Sequence, residues 1–192
     1  MILASSSERR QEILKSIGFN FEVIPANIDE TSDKSDIIER VEDIAFQKAK
    51  HIAQNYPDKY VLAADTIVEK DNKILGKPKD EREAKLYLEK LSGGTHRVIT
   101  AYSFINIAKS IYLKNYDISI VKFYDLDDKK IEWYLETGEP FDKAGAYGIQ
   151  GKGRIFVEKI EGDFFSIMGF PIGKFMQDLK NVNININDIS KL

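Results

Sequence analysis

The chain has 192 residues, enough for one large domain or two intimate lobes but too few for two ordinary domains joined by a linker. It contains no cysteine, which excludes thiol catalysis, disulfides and thiolate metal sites and fits a reducing, cytoplasmic setting. A net charge of −3, with 31% charged residues of both signs interspersed, excludes a whole-protein basic field, so nucleic acid is not an expected partner and a polyanionic ligand would need a local cluster of cations.

The opening run MILASSSERR is too polar and too short for a signal peptide. No later apolar run approaches the roughly 18 residues of a membrane span, so a soluble protein without a membrane partner is expected. Ile2–Ala4 reads as a short strand feeding a helix, with Ser5, Ser6 and Ser7 as candidate N-caps, Ile13, Leu14 and Ile17 as its apolar stripe, and Gly18 as its end. Phe21–Pro25 reads as a second strand. A long helix is predicted from about Asp36 to Asn55, with Ile37, Val41, Ile44, Ala45, Ala49 and Ile52 on one face. Tyr60–Glu69 is a strongly apolar strand, followed by a turn at Asp71-Asn72 and the short run Ile74-Leu75-Gly76. Asp80 with Glu83 forms a capping box for a helix carrying Ala84, Leu88 and Leu91, which Ser92-Gly93-Gly94 ends. Arg97–Ala108 and Ile111–Tyr124 form a predicted hairpin, and Asp127–Glu136 a helix stopped by Gly138. Residues 139–153 are a Gly-rich loop, Arg154–Ile160 a strand, and Pro171 the first residue of a last helix. The Asn-rich tail Asn181–Leu192 alternates like a strand. This order predicts an α/β fold, a mixed sheet with flanking helices, in a single domain over 1–192.

Three groups of residues sit where structure alone would not put them. Asp65 interrupts the apolar run between Val61-Leu62-Ala63-Ala64 and Ile67-Val68, although aspartate is depleted in strands and an unpaired buried carboxylate is costly. A metal, a lysine or backbone donors would offset the cost; the plainer alternative is an aspartate at the sheet rim. Lys48 lies four residues after Ile44 and four before Ile52, on the apolar face of its helix, where it is either functional or snorkelling. If it binds phosphate, methionine at position 48 should worsen KM or kcat while stability holds or rises. Arg9 and Arg10 open a helix, against its macrodipole; with Ser5, Ser7 and the first-turn N–H groups they form either a phosphate cradle or a solvated pair. Gly76-Lys77-Pro78 fixes a lysine in a stiff turn, and the stretch from Asp142 to Gly153, which includes Lys143, is too Gly-dense for a plain connector.

The chain has no P-loop, no dinucleotide-binding glycine pattern, no nucleophile elbow, and no metal-ligand spacing between His51 and His96. Taken in order, its segments resemble the Maf family. They are Leu3-Ala4-Ser5-Ser6-Ser7-Glu8-Arg9-Arg10, Asp29-Glu30, Lys48-Ala49, Ala64-Asp65-Thr66, Gly76-Lys77-Pro78, Ser92-Gly93-Gly94-Thr95-His96, residues 142–151, and Gly162-Asp163-Phe164-Phe165 through Gly169-Phe170-Pro171. Glu8 stands where the family usually has proline, which should weaken helix initiation slightly.

The resemblance implies a mixed twisted sheet with flanking helices in two lobes around a deep cleft, akin to inosine-triphosphate pyrophosphatases and often a homodimer. It implies hydrolysis of a nucleoside triphosphate to the monophosphate and pyrophosphate, with Asp65 as proton acceptor and Arg9, Thr66 and Gln150 distinguishing substrates. The run Lys143–Gly151 looks like the dTTP/UTP subfamily, and a glutamine amide at position 150 can pair with O4 and N3–H of uracil or thymine together. The substrate alternatives are 7-methyl-GTP and a modified pyrimidine triphosphate, where house-cleaning of modified nucleotides would be the role. An alternative of another class is a regulatory binding protein in cell division and septum formation. On the enzymatic reading, Asp65 and Glu30 would hold a divalent Mg or Mn ion, and Lys48 and Lys77 would act in catalysis. Ser5, Ser7, Arg10 and Lys143 would bind phosphate.

Overall fold

A computed structural model describes all 192 residues. They fall into two compact units: Met1–Asp65 with Thr100–Asp117 and Gly169–Leu192, and Thr66–Ile99 with Ile118–Met168. Seven strands make one mixed sheet in the order β2-β1-β3-β5-β6-β7, with β4 paired to β3. No helix is long and apolar enough to cross a membrane.

The first unit begins with β1 (Ile2–Leu3), α1 (Glu8–Ser16) and β2 (Glu22–Val23). Strand β1 pairs in parallel with β2 on one side and with β3 (Val61–Lys70) on the other, matching Ile2 to Val61 and Leu3 to Leu62. Between β2 and β3 lies α2 (Ile37–Asn55), started by Asp36, whose carboxylate accepts from the Ile38 and Glu39 amides. Its apolar face carries Ala49, Ile52 and Ala53, which pack on Ile2, Ala4, Val61 and Ala63. The small side chains at 49, 53 and 63 let helix and strand approach closely. A second cluster joins Phe175 of α6 (Ile172–Leu179) to Phe19, Tyr102, Phe104 and Phe170, with ring centroids 5.2 to 6.0 Å apart. Full burial of a phenylalanine is worth about 1.5–3 kcal/mol, so these rings anchor α6.

The second unit starts within β3. Asp71 and Asn72 have φ of 53° and 58°, giving the tight turn that folds β4 (Lys73–Leu75) back antiparallel on β3. Asp80 caps α3 (Glu81–Leu91) by accepting from the Glu83 amide, while the Glu83 carboxylate takes the Lys79 amide and not that of Asp80, so the reciprocal box is displaced by one residue. The long strands β5 (Thr95–Asn106) and β6 (Ile111–Phe123) run through both units. They lead to α4 (Asp128–Leu135), three short 3-10 turns over residues 139–156, β7 (Val157–Glu161) antiparallel to β6, and α5 (Phe164–Met168).

Several local expectations change. Helix α1 stops at Ser16, and Ile17 is 40% exposed instead of completing the stripe. Glu8 opens that helix, where its charge suits the positive helix end and offsets the missing proline. Residues Arg154–Phe156 belong to a 3-10 turn, so the last strand begins at Val157. Pro171 is the N-cap of α6 and not its first helical residue. The tail is not a strand: it forms 3-10 turns at Lys180–Val182 and Ile186–Lys191. Asn183 takes a left-handed φ of 60°, and Asn185 and Asp188 exchange capping bonds, a local use of side-chain amides and carboxylates that competes with strand formation.

Candidate active site

Side chains alternate along a strand, so Val61, Ala63 and Asp65 share one face of β3. Val61 and Ala63 lie under Ala49, Ile52 and Ala53 of α2. Asp65 continues that row, and Lys48 is one helical turn before Ile52, so the carboxylate and the ammonium meet where helix and strand are already packed. Lys48 Nζ donates to Asp65 Oδ1 at 2.8 Å and lies 2.9 Å from Glu30 Oε1. Both Lys48 and Asp65 are 8% exposed. Glu30 comes from the segment between β2 and α2, with its side chain 55% exposed. The lysine is therefore neither snorkelling nor sitting idle on an apolar face: it is the counter-charge of a buried carboxylate. With that pairing the expectation for methionine at position 48 reverses: it should lower stability, because Asp65 would be left without its counter-charge.

The beginning of α1 supplies more positive charge. Ser7 occupies the N-cap position, but it is the Ser5 hydroxyl that accepts from the Ser7 amide, at 3.3 Å. The same hydroxyl accepts from Arg10 Nη1 at 2.9 Å, and Arg10 Nε donates to the Gly169 carbonyl at 2.9 Å. Burial lowers the Arg10 pKa from its ordinary value; the Asp65 and Glu30 carboxylates act in the opposite direction, and the Arg9 guanidinium adds to the lowering. Within the first unit, then, Ser5, Arg10, Lys48, Glu30 and Asp65 converge, and Arg9 and Ser7 share the opening of α1 with Arg10.

Thr66 opens the second unit, directly after Asp65. Lys77 is exposed between β4 and α3, next to buried Pro78. Its neighbour Gly76 accepts the Gly145 amide at 3.1 Å, tying this turn to the Gly-rich segment. Gly145 has φ 69°, and a Cβ there would meet Val68 Cγ2 at 2.8 Å, so both backbone and packing require glycine. Lys143 Nζ donates to the Glu139 carbonyl at 2.7 Å and to Asp142 Oδ1 at 2.5 Å, so its charge is already engaged inside the loop.

Gln150 is held through its backbone. Arg154 Nη2 donates to the Gln150 carbonyl and Arg154 Nε to that of Gly151 at 2.8 Å, bonds that do not use the Gln150 amide. Further back, the Tyr134 hydroxyl accepts the Gly148 amide at 3.1 Å, and His96 Nε2 lies 2.8 Å from the Tyr147 hydroxyl. Burial, with the charge of Lys70, lowers the His96 pKa to about 3, and burial raises that of Tyr147. The imidazole is a neutral support of the loop at physiological pH. Sequence reasoning did not find the supporting roles of Arg154, Tyr134 and Tyr147, because each acts through a loop contact that no motif encodes.

No group of three or more acidic or histidine side chains gathers to hold a metal. Two carboxylate oxygens, from Asp65 and Glu30, do converge on a cation, the Lys48 ammonium. Hard oxygen donors of this kind suit Mg²⁺ or Mn²⁺, and one or two carboxylates suffice when substrate phosphates complete the shell.

Residues 1–182 match the family model described as Maf-like protein. The chain belongs to the Maf family. A Fusobacterium nucleatum protein named dTTP/UTP pyrophosphatase is 60% identical over 192 residues, covering all of both chains. A Bacillus cereus Maf relative of the same name is 46% identical over 190 residues, 97% of each chain. Among solved structures, the Staphylococcus aureus Ham1 protein matches with TM-score 0.46 and 16% identity, over 65% of this chain and 71% of that one.

Proposed function

We propose that this Maf protein hydrolyses dTTP and UTP between the α- and β-phosphates, giving the nucleoside monophosphate and pyrophosphate. The observation that carries the reading is the buried Asp65 carboxylate held by Lys48 beside Glu30 and Arg10. The names of its relatives from Fusobacterium nucleatum and Bacillus cereus support the choice of substrate.

In this reading Asp65 accepts a proton from a water whose oxygen bonds the α-phosphorus, and the bridging oxygen leaves with pyrophosphate. Lys48 fixes the carboxylate's orientation. Arg9 and Arg10, with Ser5, Ser7 and the N-terminal amides of α1, offset the negative charge of the triphosphate, as do Lys77 and Lys143. Lys143 would have to exchange its bond to Asp142 for one to phosphate. Asp65 and Glu30 would hold a divalent Mg or Mn ion, which when bound neutralises phosphate charge and lowers the pKa of a coordinated water. Gln150 selects the base through its amide, with Thr66 and Arg9 shaping the choice. The test is a panel of nucleoside triphosphates with Mg²⁺ or Mn²⁺, in which nucleotide products, phosphate and pyrophosphate are all quantified. Preferential conversion of dTTP and UTP to monophosphates with one pyrophosphate each is expected; absence of such turnover would overturn the proposal.

A further inference from the structure

Within the second unit, Ile149, Gln150, Arg154, Val157, Ile160 and Phe164 line a pocket of about 550 Å³. Its chemistry is sharply divided. Val157 and Ile160 of β7 and Ile149 give aliphatic walls, Phe164 brings an aromatic ring that is 40% exposed, and Gln150 brings the one side-chain amide. Arg154 lines the pocket while its guanidinium clamps the carbonyls of residues 150 and 151, so the backbone that presents the amide is fixed at two consecutive residues. Phe164 sits on anchored backbone as well. It opens α5, where the preceding Asp163 accepts the Phe165 amide at 2.8 Å while its own amide donates to the Ser119 hydroxyl at 2.9 Å. An exposed aromatic ring is normally a liability; one held on an anchored helix start, beside aliphatic walls and a single amide, fits a flat heterocycle with one polar edge.

We infer that Phe164 is a specificity-determining residue, the stacking surface for the pyrimidine base whose edge Gln150 reads. This rests on the proposed dTTP/UTP activity and adds a residue to it. The division of labour follows from the chemistry. A ring face recognises planarity without telling bases apart, whereas an amide tells them apart but grips weakly unless the base is held flat. Phe165, 43% exposed and next in sequence, does not line the pocket; its ring packs edge-on against that of Phe164 at 5.8 Å, so its replacement separates loss of that support from loss of the stacking face.

The experiment compares wild type with Phe164→Leu, Phe164→Trp and Phe165→Leu. Leucine keeps an apolar side chain and removes the π-face; tryptophan keeps the face. Loss of one stacking contact weakens binding by about tenfold or more. Phe164→Leu should therefore raise KM for dTTP and UTP by about that factor with kcat little changed, and weaken dTMP binding equally in calorimetry. Phe164→Trp, which restores a π-face, should recover most of the KM and dTMP affinity lost with leucine, and Phe165→Leu, which keeps the Phe164 face, should lose clearly less than Phe164→Leu. Pyrophosphate release from ribose 5-triphosphate, which has no base, should be untouched by Phe164→Leu. Wild-type KM and dTMP affinity in Phe164→Leu would overturn the inference, as would equal losses on the base-free substrate. A change in sedimentation with unchanged dTMP binding would assign the ring to contact with a second copy of the chain and also overturn it. Failure of wild type to cleave dTTP would overturn the proposed activity, while the dTMP titration would still decide on Phe164.

Discussion

Replacing Lys48 by methionine should destabilise the protein, although it puts an apolar side chain on the apolar face of α2. Lys48 and Asp65 form an ion pair at 2.8 Å with side chains only 10% and 12% exposed. Removing one partner of a buried pair costs about 3–5 kcal/mol, because the other charge is left in a poorly solvating site. Glu30, at 55% exposure, remains hydrated and adds at most about 1 kcal/mol. Packing of the methionine beside Ile44 and Ile52 returns about 1 kcal/mol. The net expectation is a loss of roughly 2–4 kcal/mol, and with roughly 2–4 °C per kcal/mol at this size, a fall in melting temperature on the order of 10 °C. Urea unfolding at pH 7 measures it, with Asp65→Asn and the double variant completing a thermodynamic cycle. The double variant should be more stable than Lys48→Met alone, since the stranded charge is gone. A Lys48→Met protein as stable as wild type would refute the claim that this ammonium is the counter-charge of Asp65.

Asp65→Asn should lose at least about a hundredfold in kcat while keeping a wild-type circular dichroism spectrum, because the amide oxygen can still accept from Lys48; kcat within about threefold of wild type would make Asp65 structural. Gln150→Glu should shift the kcat/KM ratio away from dTTP and UTP by roughly ten- to hundredfold relative to purine triphosphates, since a carboxylate cannot donate to O4; an equal loss on every nucleotide would remove Gln150 from base selection. His96 should make the fold acid-sensitive. Its folded pKa of about 3 lies below the ordinary histidine value of 6.5, so between those values the unfolded chain binds a proton that the folded one does not, and stability falls as pH falls. Over the steep part of that window the contribution is about 1.4 kcal/mol per pH unit, and His96→Gln should lose less stability than wild type between pH 7 and pH 5 in parallel urea titrations. Identical pH slopes would show that the imidazole is not held neutral by burial.

Much of the site was legible because it is written in short-range periodicity. The interruption of an apolar strand marked Asp65, and the four-residue spacing on α2 marked Lys48. What sequence could not supply was their pairing: a lysine was one of several groups able to offset the buried aspartate, and which one does so depends on how α2 lies on β3. Arg10 illustrates the same limit more strongly, since its Gly169 partner is 159 residues away. The strand pattern of β3 and β5 emerged because long buried strands have distinctive composition, and that of the half-buried β6 from its β-branched and aromatic residues. The tail misled because alternating Asn and Ile imitates strand periodicity, while asparagine's own backbone-capping chemistry favours turns. The Gly-rich loop was recognisable as something other than a connector, yet its fastening by Tyr134, Tyr147, His96 and Arg154 joins β5, α4 and the loop itself, and no local pattern encodes it.

The central claim is attack at the α-phosphorus, and the position of the new oxygen tests it most directly. Hydrolysis of dTTP in ¹⁸O-labelled water with Mg²⁺, followed by mass spectrometry of both products, should place one heavy oxygen in dTMP and none in pyrophosphate. Label in pyrophosphate, or accumulation of dTDP with labelled phosphate, would contradict the account.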